Sequence, residues 1–130
     1  MHKSEVLKTS RGRIILMDSI TKLTPEDEGA MIVSASHGGS SSGEFALEVP
    51  VSVVFFNDAG VGRDNAGISA LKMLQDHGVA AGTIAHDSGR IGDSQDMWEH
   101  GRISHLNGLA GDLGLRTGES VHDALTRLIQ

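Results

Sequence analysis

Residues 51–56 read VSVVFF and form the most strand-like stretch of the sequence, followed at once by Asn57-Asp58-Ala59-Gly60. A nearly unbroken run of β-branched and aromatic residues is typical of a strand that is buried on both faces of a sheet. Parallel sheets that carry helices on both sides contain such strands. The stretch therefore predicts the centre of a parallel α/β sheet.

Three other apolar stretches predict strands at residues 13–17, 30–34 and 79–85. Apolar residues three or four positions apart predict helices at residues 64–77, 102–113 and 121–129, between and after these strands. Alternating strands and helices with short connections favour a parallel sheet with right-handed crossovers. We therefore expect an α/β fold in which about four mostly parallel strands carry helices on both faces, a Rossmann-like three-layer sandwich.

Length and composition set the remaining expectations about organisation. A chain of 130 residues suits one domain, so we expect an N-terminal arm at residues 1–10 and a single α/β domain at residues 11–130. The sequence contains no cysteine and no long apolar run, and its net charge of −6 repels nucleic acid and anionic lipid. These features favour a cytoplasmic protein that binds neither nucleic acid nor membrane, and the edges of a small sheet favour a homo-oligomer.

Each predicted strand ends in polar residues. In open parallel sheets, ligands bind at the carboxyl ends of the strands, near the point where the strand order reverses. The sequence therefore predicts one ligand site at this edge of the sheet. The four polar stretches are Asp18-Ser19, residues 34–43, Asn57-Asp58 and residues 86–90.

Two of these stretches are suited to bind an anion. Ser36-His37-Gly38-Gly39 is a glycine-rich turn before a predicted helix, where backbone N–H groups and the helix dipole attract carboxylate or phosphate. Arg90 offers two parallel hydrogen bonds to the same groups, and Gly60 allows a ligand to approach the backbone closely. We therefore predict that ligand binding involves Ser36, Gly38, Gly39, Asn57, Gly60, Ser88 and Arg90.

Titratable side chains in the same stretches are candidates for acid–base catalysis. His37 and His86 are imidazoles that can exchange a proton near neutral pH, and Asp58 can orient a histidine or act as a base. Two alternatives remain open. His37, Asp58, His86 and Asp87 have the donor types of a zinc, manganese or iron site, although no HxH or HExxH spacing supports one. Ser34, Ser36 or Ser88 is a conceivable nucleophile, although no GxSxG motif occurs.

An ordered series of short motifs resembles an uncharacterised family of small bacterial α/β proteins. The resemblance covers about residues 30–110 and supplies no activity, cofactor or catalytic residue. The motifs are Ser36-His37-Gly38-Gly39, Asn57-Asp58-Ala59-Gly60, Asp64-x-Ala66-Gly67-Ile68, Ser88-x-Arg90-Ile91-Gly92-Asp93 and Ile103-Ser104-His105-x-Asn107.

We therefore expect an enzyme that acts on a small anionic metabolite, a carboxylate or a phosphate. His37, Asp58 and His86 would transfer protons, and no cofactor is indicated. The alternative is a non-catalytic small-molecule sensor or partner subunit, with Trp98 and residues 120–129 at an interface.

Overall fold

Six strands form one mixed sheet in the computed structural model, which describes residues 2–130. The strands are β1 (Lys3–Thr9), β2 (Gly12–Met17), β3 (Met31–His37), β4 (Val53–Asn57), β5 (Ala80–Ile84) and β6 (Ile103–Leu106). Their order across the sheet is their order along the chain. Strands β2 to β5 are parallel, whereas β1 is antiparallel to β2 and β6 is antiparallel to β5.

Helices cover both faces of this sheet. The α-helices are α1 (Ser40–Ala46), α2 (Ala70–Asp76), α3 (Ser94–His100), α4 (Gly108–Asp112) and α5 (Val121–Ile129), and short 3-10 helices lie at Ile20–Lys22, Pro25–Asp27 and Arg63–Ile68. No helix among residues 2–130 is both long enough and apolar enough to span a membrane.

The two neighbouring phenylalanines of β4 divide the apolar core. Phe56 packs with Leu74 of α2 on one face of the sheet, and Phe55 packs with Met97 of α3 and Leu125 of α5 on the other. Both phenyl rings are fully buried. The prediction that this strand is buried on both faces is confirmed, and so is the α/β class.

The prediction of about four mostly parallel strands is wrong, because the sheet is mixed and has six strands. The predicted strands are the central four. The missing β1 lies in residues 1–10, which were expected to form an arm; residue 1 itself is outside the described residues. Its pairing with β2 extends from Lys3 opposite Met17 to Thr9 opposite Gly12. Edge strands are often short and charged, which made this polar segment resemble an arm.

The second missing strand, β6, lies inside the helix predicted at residues 102–113. Ile103 and Leu106 have a spacing that a helix and a short strand both allow. The helix begins later, at Gly108, because the side chain of Asn107 accepts a hydrogen bond from the N–H of Ala110 at 3.0 Å. An N-cap of this kind sets the first turn of a helix, so the residues before it remain extended and pair with β5.

The sheet also differs from a Rossmann-like arrangement, because its strand order does not reverse. The chain instead changes face through the loop of residues 85–93, which leaves β5 and leads to α3. The N–H of Gly92 donates to the carbonyl of Ala35 at 2.9 Å, and the side-chain amide of Asn57 donates to the carbonyl of Gly89 at 2.8 Å. We call residues 85–93 the crossing loop, because they pass over the carboxyl ends of β4 and β3.

Candidate functional site

The crossing loop brings the polar ends of the parallel strands together. It is followed by Ser94, the first residue of α3, whose N–H and hydroxyl donate to the carboxylate of Asp18 after β2, at 2.9 and 2.7 Å. The polar stretches that follow β2, β3 and β4 are therefore each tied directly to the segment that follows β5. The crossing loop is therefore the candidate site, and the prediction of one ligand site at this edge stays a prediction.

A buried carboxylate and an exposed histidine form a hydrogen-bonded pair at this edge. The side chain of Asp58 is 6% exposed and that of His86 is 56% exposed, and Oδ1 of Asp58 lies 3.2 Å from Nδ1 of His86. The same oxygen accepts hydrogen bonds from the N–H of Gly60 at 2.8 Å and from the N–H of His86 at 3.1 Å. The carboxylate of Asp58 therefore orients the imidazole of His86 and also fixes the backbone at Gly60 and at His86.

Asp58 remains ionised in this environment. Burial on its own raises the pKa of the Asp58 carboxyl, but the hydrogen bonds that it accepts outweigh burial and hold the pKa below its usual value. The N–H of Gly60 and the N–H and ring of His86 are its hydrogen-bond partners, and the hydroxyl of Ser104 also lowers this pKa. An ionised carboxylate can only accept hydrogen bonds, so Nδ1 of the His86 imidazole must carry the proton that it donates to Asp58. In the neutral imidazole, Nε2 then has a lone pair that can accept a proton.

The loop after Asp58 is strained. Ala59 and Val61 have φ values of 51° and 67°, a region that is unfavourable for β-branched residues in particular. Gly67 then packs so closely that a Cβ atom there would overlap the carbonyl oxygen of Asp58. Strained backbone of this kind is often found at functional sites, and here it surrounds the carboxylate that orients His86.

A cleft of about 470 Å³ opens beside His86, mainly along the crossing loop. It is lined by Ala59, His86, Asp87, Ser88, Gly89, Arg90, Ile91 and Asp96. Among residues 2–130, no side chain lies within ion-pairing distance of the guanidinium of Arg90. The cleft therefore combines a guanidinium that forms no ion pair with a histidine that a carboxylate orients.

Two predicted ligand-binding residues use their side chains to hold the site together. The amide of Asn57 is buried; besides binding Gly89, it accepts the N–H of Ala59 at 2.9 Å. The hydroxyl of Ser88 donates to Ala85 and accepts from the N–H of Arg102. These contacts fix the crossing loop, so both residues position the cleft.

The turn after β3 adjoins the end of β4, but none of its residues lines the cleft. The hydroxyl of Ser36 accepts the N–H of Ile20 at 3.0 Å, and the N–H of Gly38 donates to the carbonyl of Asn57 at 2.9 Å. Gly39 lies under the ring of His37, where a Cβ atom would collide with it. His37 is exposed and is not among the residues that line the cleft. The predicted roles of Ser36, His37, Gly38 and Gly39 therefore stay predictions.

The two alternatives for the site find little support. Within residues 2–130, no three His, Cys, Asp or Glu side chains are grouped closely enough to hold a metal ion. The nucleophile alternative needs a serine that donates to a histidine, but none of Ser34, Ser36 and Ser88 forms a hydrogen bond with a histidine ring. Ser88 donates to Ala85, and the hydroxyls of Ser34 and Ser36 accept the N–H groups of Ser36 and Ile20. Among the catalytic candidates predicted from the sequence, Asp58 and His86 are the two that a hydrogen bond joins.

A polar network of Thr83, Ser104 and His105 near Asp58 was not predicted from the sequence. An irregularity in the pairing of β5 with β6 lets both Ser104 and His105 reach Thr83. The hydroxyl of Thr83 lies 2.9 Å from that of Ser104 and 3.2 Å from Nδ1 of His105. Ser104 in turn lowers the pKa of Asp58. The Ser104-His105 pair in the sequence was a signal, but only the strand pairing connects it to Asp58.

The interface expected in the alternative function is largely buried. Trp98 is 7% exposed, and its ring packs against that of His122 at a centroid distance of 4.7 Å. The apolar side of α5 faces the core through Val121, Ala124 and Leu125. These residues hold α5 on the sheet and leave little apolar surface there for a partner.

Comparisons of this chain with protein-family models, with curated proteins and with solved structures found no significant match. The resemblance of its motifs to a bacterial family therefore stays a proposal, and the chemistry of the site must be argued from its own residues.

Proposed function

We propose that this protein is an enzyme that performs general acid–base catalysis on a small metabolite with a carboxylate or phosphate group. The observation that carries the proposal is the hydrogen bond of 3.2 Å between buried Asp58 and exposed His86 at the edge of a cleft. A carboxylate that fixes the tautomer of a histidine and stabilises its protonated form is a recurrent device of acid–base enzymes.

His86 is the proton-transfer group in this proposal. Nε2 accepts a proton from the substrate, the imidazole becomes a cation, and the negative charge of Asp58 stabilises that cation. The proton then returns to the product or to water, so the enzyme regains its starting state. Asp58 keeps its own negative charge throughout, which its lowered pKa favours.

Arg90 is the binding group. Its guanidinium lines the cleft and is free of ion pairs with the other described residues. A planar guanidinium can form two parallel hydrogen bonds with a carboxylate or phosphate. Binding there would place the substrate against His86, which lines the same cleft.

An exchange experiment tests the proposal without requiring that the substrate be identified first. The purified protein is incubated in D₂O with a defined mixture of carboxylates and phosphates, and mass spectrometry detects deuterium incorporation or product formation. We expect the wild type to change at least one compound, and His86→Gln to do so about 100- to 10,000-fold more slowly. His77→Gln is the matched control, since His77 is exposed at the end of α2 and away from the cleft.

Two results would contradict the proposal. If the wild type binds a compound in a thermal-shift assay but changes none, the protein is a binding protein, as in the alternative function. If His86→Gln retains the wild-type rate on a compound that the wild type changes, the Asp58–His86 pair does not carry the catalysis.

A further inference from the structure

Two opposite charges in the cleft lack partners. Among residues 2–130, neither the carboxylate of Asp87 nor the guanidinium of Arg90 forms an ion pair or a side-chain hydrogen bond. The third charged group is already engaged: Asp96 accepts the N–H of Arg90 at 2.9 Å and a hydrogen bond from His100 at 3.1 Å. Asp87 and Arg90 are therefore the charges that remain available to a ligand.

Asp87 and Arg90 flank a rigid turn. Between them, the hydroxyl of Ser88 donates to the carbonyl of Ala85 at 2.8 Å, and the carbonyl of Gly89 accepts the amide of Asn57 at 2.8 Å. A Cβ atom at Gly89 would lie 2.8 Å from Cα of Met97, so the turn is also packed against α3. These contacts fix the backbone between Asp87 and Arg90, which both line the cleft and form no ion pair with each other.

The balance of charge in the cleft disfavours a ligand that is only anionic. The lining residues include one guanidinium and two carboxylates, Asp87 and Asp96. The pKa of Asp96 lies below its usual value, chiefly because of the N–H of Arg90, with smaller contributions from His100 and from the charge of Arg90, so this group remains charged. A plain anion gains Arg90 but is repelled by the carboxylates, and a plain amine is repelled by Arg90.

We propose that the cleft binds a small zwitterion of the amino-acid type, with its carboxylate on Arg90 and its ammonium group on Asp87. This inference rests on the proposed function and narrows its substrate class. The side chain of Ile91, which is 47% exposed, lines the same cleft and offers an apolar contact to the rest of such a ligand.

Matched ligands test the inference. Thermal shift and calorimetry compare each common amino acid with the acid that lacks its amino group and the amine that lacks its carboxylate; valine, 3-methylbutanoate and 2-methylpropylamine form one such set. We expect at least one amino acid to stabilise the protein, and both of its analogues to bind at least about tenfold more weakly, as the loss of one charged contact predicts.

Two variants test which group of the ligand Asp87 and Arg90 each bind. Asp87→Asn should remove the preference for the amino acid over its deaminated acid, while Arg90→Gln should weaken binding of both. Asp123→Asn is the control, because it makes the same chemical change on the exposed surface of α5, where 78% of the side chain is accessible.

The outcomes separate this inference from the proposed function. If deaminated acids bind as tightly as amino acids, or if no amino acid stabilises the wild type, the zwitterion inference is overturned, and the exchange experiment in D₂O still decides whether the protein is an enzyme. If an amino acid binds as expected but no compound is changed in that experiment, the zwitterion inference stands and the catalytic proposal fails.

Discussion

The proton position on His86 is the most direct prediction of the site geometry, because it requires no substrate. A neutral histidine carries its proton on Nδ1 or on Nε2. Oδ1 of Asp58 lies 3.2 Å from Nδ1, and an ionised carboxylate only accepts hydrogen bonds. The wild type should therefore hold its proton on Nδ1, and replacement of Asp58 should release this constraint.

The size of the effect follows from the exposure of the pair. A hydrogen bond to a charged group contributes about 1.5–3 kcal/mol, and the lower end applies because the His86 side chain is 56% exposed to water. At about 1.4 kcal/mol for each factor of ten, the Nδ1–H form should exceed the Nε2–H form about tenfold. Asp58→Asn keeps a neutral acceptor worth about 0.5–1.5 kcal/mol, so its bias should be about two- to tenfold. Asp58→Ala should remove the bias.

Nitrogen NMR of protein with ¹⁵N-labelled histidine distinguishes the two forms, at about pH 8.5, where histidine side chains are ordinarily neutral. His100 provides an internal control, since its Nδ1 lies 3.1 Å from Asp96 and should not respond to changes at Asp58. A predominant Nε2–H form in the wild type would refute the reasoning, and so would an Asp58→Ala spectrum in which His86 is unchanged.

Further predictions concern stability. Gly67→Ala should lower the free energy of unfolding by about 1–3 kcal/mol, because the added Cβ would overlap the carbonyl oxygen of Asp58. Urea denaturation measures this, with Gly111→Ala as the control, since Gly111 has open space around it. Equal stability of the two variants would count against the close approach of Gly67 to Asp58. Lys3→Met should lower the free energy of unfolding by about 1–3 kcal/mol, because Nζ of Lys3 lies 2.8 Å from the buried carboxylate of Asp27. A neutral result would mean that this ion pair does not stabilise the fold. Burial raises the pKa of Asp27, but its hydrogen bonds, that of Lys3 first, lower it more, so it lies below its usual value. The stability that ionised Asp27 contributes to the fold is therefore fully present above about pH 4, and it is lost as pH falls through the lower pKa of the folded state. Denaturation midpoints measured from pH 6 to pH 3 should show that the difference between wild type and Lys3→Met decreases in acid. A difference that stays constant over this range would contradict the predicted pH dependence.

The central strands were predictable because their signal is local. Residues 51–56 are apolar enough to be a strand wherever they pack, and β4 with Phe55 and Phe56 confirms this. The two edge strands were not predictable from the sequence, because they form only by pairing with a neighbouring strand. Residues 3–9 become a strand only against β2, and residues 103–106 only against β5. A periodicity that suits a helix was overridden there by the N-cap at Asn107.

The site was predictable in place more than in detail. Polar residues after parallel strands pointed to one edge, and that edge contains Asp58, His86 and Arg90. In the sequence, His37 and His86 have equal standing, since both follow a predicted strand. Only tertiary structure separates them, because the carboxylate of Asp58 reaches His86 at 3.2 Å while His37 lies over Gly39.

Strand order explains why the cleft forms where it does. In a sheet whose order reverses, two neighbouring loops diverge to opposite faces and leave a crevice between them. Here the order does not reverse, and right-handed connections between successive parallel strands keep α1 and α2 on the same face. The crevice arises instead where the crossing loop leaves β5 for α3 on the opposite face. That loop supplies His86, Asp87 and Arg90 together, so the change of face concentrates the chemistry of the site in a single segment.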